Sequence, residues 1–70
     1  MTPQEIKAEL VRLGFTDILT YNLSDYTFEY DAINNLFCVG DEDGDLILLI
    51  NAPTLDRIKS LVFGLTGERV

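Results

Sequence analysis

The sequence predicts an α+β domain: an antiparallel β-meander of three to four strands, flanked by an N-terminal and a C-terminal helix that share one sheet face (αββββα). Three observations predict it. Apolar residues recur at helical spacing near both ends, at Ile6, Leu10 and Leu13 and at Leu55, Ile58, Leu61, Val62 and Leu65. Between them Tyr26, Phe28, Tyr30 and Ala32 alternate with Asp25, Thr27, Glu29 and Asp31, the period of a strand with one dry and one wet face. Turn residues then punctuate the middle of the chain, at Asn34-Asn35 and over residues 40–44.

Each element follows in order. Thr2, Pro3 and Glu5 form a helix start, with Glu5 three residues after Thr2 as a capping box requires, and Gly14 is a stop, so a helix is expected over residues 3–13. Aromatic and β-branched residues then predict a first strand over 15–21 and a second over 25–33. A third is expected over 36–39 and a fourth over 45–50. Residues 46–50 are apolar at every position, so both faces of that strand want cover. Thr54 opens the second helix, and either Gly64 or Gly67 closes it.

Seventy residues make one domain, spanning 1–70, with 47% hydrophobic residues arguing against disorder. The usual staples of so small a fold are missing. The one cysteine, Cys38, excludes an internal disulfide, and the absence of histidine removes the ordinary zinc site, which leaves self-association or a partner as sources of extra stability. A lone cysteine also fits a reducing, cytoplasmic setting. Met1 to Leu13 interleaves charges with apolar residues, unlike a signal peptide, and the run from Leu46 to Ile50 is too short to span a bilayer.

Catalysis finds no constellation. The commonest general base is absent, Cys38 has no basic neighbour in sequence and reads as a buried structural thiol, and no glycine-rich phosphate loop occurs. Asp41, Asp43 and Asp45 around Gly44 invite comparison with a calcium loop, but the glycine falls at position four and Ala52 at position twelve, where an EF-hand needs a bidentate Glu. No catalytic, cofactor or metal residue is therefore assigned, and the chain is expected not to be an enzyme.

The charge distribution is the distinctive feature. The net charge of -7 opposes direct binding to nucleic acid or an anionic membrane. No basic residue lies between Arg12 and Arg57, a stretch holding Asp17, Asp25, Glu29, Asp31, Asp41, Glu42, Asp43, Asp45 and Asp56. Asp25, Glu29 and Asp31 would point the same way from the second strand, with positions two apart spaced about 6.7 Å, a row able to imitate phosphates. The plainer alternative is that such charges keep a small domain soluble and its strand edges apart.

The expected function is a non-catalytic protein-binding module that engages a basic protein surface, such as that of a nucleic-acid-binding protein. Asp25, Glu29, Asp31, Asp41, Glu42, Asp43 and Asp45 would meet the cations, and Tyr26, Tyr30 and Phe63 would serve as apolar anchors. Phe63 falls off the stripe of the second helix, near Asp56 and Lys59. In profile, being short, acidic and free of catalytic motifs, the chain resembles inhibitors carried by phages and mobile elements, anti-restriction and anti-CRISPR proteins among them. The resemblance rests on no motif and transfers no residue. The rival is a homo-oligomeric structural or assembly protein, a homodimer in the simplest case, supported by the apolar surplus of the third and fourth strands.

Overall fold

Thr2 is the N-cap of the first helix, α1 (Pro3–Arg12): its hydroxyl accepts the Glu5 N–H at 3.2 Å while the Glu5 carboxylate accepts the Thr2 N–H at 2.9 Å. The computed structural model describes residues 1–70. Ile6 and Leu10 form the buried face of α1, and Gly14, at φ 117°, turns the chain away after Leu13.

Residues 15–19 are a tight loop rather than the expected start of a strand. The Leu19 N–H donates to the Thr16 carbonyl at 2.8 Å, and Leu19 sits at φ 62°. The loop drives Phe15 and Leu19 into the core, and burial of these two side chains holds a backbone conformation that costs an isolated leucine about 1 kcal/mol. Within the expected strand, Phe15 and Leu19 thus reflect burial rather than pairing, and only Thr20 and Tyr21 pair with a neighbouring strand.

Strand β1 (Thr20–Leu23) starts only after this loop. It is followed by β2 (Tyr26–Asp31), β3 (Leu36–Gly40) and β4 (Leu46–Asn51), in the spatial order β1-β2-β3-β4 with every neighbour antiparallel. Asp25 lies in the two-residue Ser24-Asp25 turn and not in β2, because Leu23 pairs with Tyr26. The next turn is built on Asp31, whose carboxylate accepts the N–H groups of Ile33 and Asn34 and the Asn34 side-chain amide, at 2.9, 3.1 and 2.8 Å. Asn35 takes the left-handed conformation that the turn needs, at φ 54°. A bulge between Val39 and Gly40 shifts the register so that Gly40 faces Leu46.

The second helix, α2 (Leu55–Thr66), is capped by the Thr54 hydroxyl and closed by Gly67 at φ 75°, with Gly64 inside it. Ile58 and Val62 of α2 join Ile6 and Leu10 of α1, Phe15, Leu19, Phe28, Tyr30, Phe37 and Val39 in one core. All the strand residues in this set belong to one sheet face, so both helices cover the same side. Phe28 and Phe37 stack at the centre with ring centroids 6.2 Å apart, and Phe15 stacks on Tyr21 at 5.0 Å.

Ala52, between β4 and α2, has φ 49° while its N–H donates to the Asn35 carbonyl at 2.8 Å, so an alanine occupies a site suited to glycine. Ala52→Gly is expected to stabilise the fold by up to about 1 kcal/mol, the relief of strain being partly offset by the freer unfolded chain. Chemical denaturation checks it; a lower urea midpoint than wild type refutes the strain.

Candidate functional site

The face of the sheet away from the helices has no cover. Register alone assembles it, because residues paired across antiparallel strands project to the same side. One row runs Thr20, Glu29, Cys38, Leu49; a second runs Asn22, Thr27, Gly40, Leu46; a third holds Asp31, Leu36 and Asn51. Leu46 and Leu49 are 61% and 50% exposed, well beyond what a core strand leaves to water. Ile18, 77% exposed, projects from the loop beside Thr20, Glu29, Asp31 and Leu36 around a depression of about 330 Å³. A second depression, of about 450 Å³, is lined by Thr27, Glu29, Cys38, Gly40, Asp41, Gly44 and Leu46. Glu29 and Cys38 line both.

Three corrections follow for the expected acidic surface. The face is not a row of carboxylates: Asp25 has left the strand, Thr27 bonds Asn22 at 2.8 Å, and only Glu29 and Asp31 remain, set among aliphatic side chains. Asp31 is engaged in its own turn, which holds its carboxyl below the ordinary range; the Asn34 side-chain amide is the chief cause, backed by the N–H groups of Asn34 and Ile33. Asp41 is likewise structural, accepting the N–H groups of Asp43 at 3.0 Å and Asp45 at 2.9 Å. Glu42, Asp43 and Asp45 are exposed and make no ion pair. Because a meander returns alternate turns to the same end, Asp25 joins them at one acidic end of the sheet. No three His, Cys, Asp or Glu side chains are grouped to hold a metal ion.

The expected aromatic anchors lie elsewhere. Tyr30 is 4% exposed on the helix-covered face, its hydroxyl donating to Asn35 Oδ1 at 2.7 Å; burial, then the nearby Asp31 charge, raises its pKa. Tyr26 is half-buried on that same face, tilted against Phe28 at 6.2 Å. Period-two alternation puts tyrosines on the dry side as readily as phenylalanines. Phe63 is partly exposed on α2, in the layer opposite the open face, and the Arg69 guanidinium lies over its ring at 4.6 Å. The open-face aliphatic residues Ile18, Leu36, Leu46 and Leu49 are absent from the expected contacts; the apolar surplus of β3 and β4 is the visible signal for Leu36, Leu46 and Leu49, and Ile18 has none.

Cys38 is not in the core. It projects from β3 onto the open face and is half-buried there, with its thiol pKa raised by burial first and by the charges of Glu29 and Asp31 after it. Since the thiolate is the reactive form, such a thiol is a poor nucleophile at neutral pH. The five cations, Lys7, Arg12, Arg57, Lys59 and Arg69, all lie on α1, on α2 or just beyond it, and the sole ion pair joins Arg12 to Glu9 within α1 at 3.1 Å. No helix is long and apolar enough to cross a membrane. Compared with protein-family models, curated proteins and solved structures, the chain matches none.

Two titrations test this description. Asp31 has a folded pKa below its unfolded one, so its contacts stabilise the fold above about pH 4 and that contribution is lost as pH falls through the folded value. The urea midpoint of wild type should therefore drop more between about pH 5 and pH 2 than that of Asp31→Asn; equal drops would contradict the assignment. For Cys38, alkylation by iodoacetamide should be slower at neutral pH than that of free cysteine, and Glu29→Gln should move the rate profile to lower pH. A profile that already coincides with free cysteine would disprove the raised pKa.

Proposed function

We propose that the chain is a non-catalytic binding module whose open sheet face docks on a basic surface of another protein, a nucleic-acid-binding protein with its cationic groove being the best-matched class. The observation that carries this is the pairing of an uncovered aliphatic face with carboxylates that have no cation beside them: Glu29 and Asp31 among Ile18, Leu36, Leu46 and Leu49, bordered at one end by Asp25, Glu42, Asp43 and Asp45. Aliphatic contacts would provide the holding energy, and the acidic end would steer approach and set orientation. Blocking such a groove is how an inhibitor of the phage or mobile-element type would act.

Charge argues against the same face as a self-contact. Two copies packed face to face would bury Glu29 and Asp31 from both sides with every cation in the outer helical layers, and buried unpaired charges are strongly unfavourable. A partner presenting Lys or Arg within an apolar surround removes that penalty.

The test is capture of partners from the native host on immobilised protein, followed by affinity measurement with the protein captured. Binding should weaken at least tenfold between about 0.05 and about 0.5 M salt, as screening predicts. The double variant Glu42→Lys, Asp43→Lys should lower the association rate by about tenfold, while Leu46→Ser should raise the dissociation rate. Affinity indifferent to both salt and these reversals defeats the electrostatic reading.

A further inference from the structure

The sheet has two edges, and they are covered unequally. At β1, the outward-facing backbone of Thr20 is taken up by the chain's own loop: its N–H donates to the Thr16 hydroxyl at 3.2 Å, and its carbonyl accepts the Thr16 N–H at 2.9 Å. The two side-chain hydroxyls also bond each other, at 2.9 Å. A strand of four residues with this cover is a poor template for further pairing.

The β4 edge is different. The Ala52 N–H donates to Asn35, extending the β3–β4 register by one bonded position. Alternation along an antiparallel ladder then aims the backbone groups of Leu48 and Ile50 at β3 and those of Leu49 and Asn51 outward. No other element pairs with β4, and the strand Leu46–Asn51 carries no charge, proline or glycine. Natural edges are usually guarded by at least one such device within the strand; here the bulge at Val39/Gly40 and the acids guard only its beginning.

We infer that this edge pairs with the same edge of a second copy, β4 antiparallel to β4 about a two-fold axis at Leu49, to give a continuous eight-stranded sheet. Charge and symmetry select this occupant. With Leu49 opposite Leu49, Asp45 of one copy lies level with Pro53 of the other, so the acidic turns sit at opposite ends of the joint and no like charges meet along it. A parallel arrangement would set the two acidic turns side by side. An uncharged strand offers a charged foreign peptide no complementary group, whereas its own copy meets it with matching outward donors and acceptors and with Leu49 against Leu49. The joint leaves both open faces on one surface, so it stands independently of the docking proposal and is measured without any partner.

Sedimentation velocity of the purified chain from about 5 μM to about 1 mM should show a reversible monomer–dimer equilibrium. Leu49→Lys, at a half-exposed position, and Asn51→Pro, which deletes an outward N–H that the monomer does not use, should each yield a monomer with an unchanged circular dichroism spectrum. In a Cys38→Ser background, Leu49→Cys should give a disulfide-linked dimer on mild oxidation, since bonded antiparallel pairs have Cα atoms about 5.5 Å apart, within disulfide range. Ile33→Cys in the same background, on the β2–β3 turn, should give far less. A wild-type monomer throughout that range overturns the inference. So does a dimer that survives both edge variants, or one that loses its dimer on Leu49→Lys yet fails to cross-link through Leu49→Cys.

Discussion

Two helices can cover one side of a four-stranded sheet, and this chain has no third element for the other. That shortage governs the rest of the molecule. The covered side holds essentially all of the fully buried apolar volume, centred on Phe28 and Phe37 with Leu10, Ile58, Val39 and Val62 closed around them. Everything on the other side must live at a water interface, and a strand as apolar as β4 cannot do that without consequence. The exposed aliphatic residues at Leu46 and Leu49 are a geometric result of a ladder buried on one side only.

The helical and sheet periods made most of the architecture legible. Both helices, the antiparallel meander between them and the two-sided alternation of β2 follow from spacing, because burial on one face is written directly into period two and period 3.6. Strand β3 is apolar on both faces, so its spacing does not say that Phe37 and Val39, rather than Leu36 and Cys38, point inward. The first strand was misread for a physical reason. Phe15 and Leu19 have strand-like composition but are buried by a tight loop held by Thr16, and composition does not separate burial from pairing. The choice between Gly64 and Gly67 was open because both can end a helix; only the left-handed backbone at Gly67 resolves it.

The candidate site was legible in charge and obscure in geometry. The confinement of cations to the helical layer is visible in the chain and survives intact. The row of carboxylates does not, since Asp25 lies in a two-residue turn, Asp31 accepts two backbone N–H groups on one oxygen and the Asn34 side-chain amide on the other, and Asp41 accepts two backbone N–H groups on one oxygen. An aspartate two or three residues before a turn is commonly a turn former, so sequence alone overcounts the free acids. The aromatic anchors failed similarly: tyrosine is amphipathic, and Tyr30 satisfies its hydroxyl through Asn35 while its ring fills the core.

The two edges show how the chain distributes its protection. Thr16 covers the start of β1 with two contacts that satisfy the Thr20 backbone, at the expense of a left-handed leucine three residues later. Nothing comparable reaches β4, although β4 is longer and more apolar and would aggregate more readily if left exposed. A chain that guards its weaker edge and leaves the stronger one bare is consistent with a use for the bare one. The acids of the β3–β4 turn reinforce that asymmetry: they repel side-by-side parallel stacking of copies and leave the antiparallel two-fold joint free of like-charge contact, so the same charges that would steer a cationic partner also narrow the ways in which this edge can close.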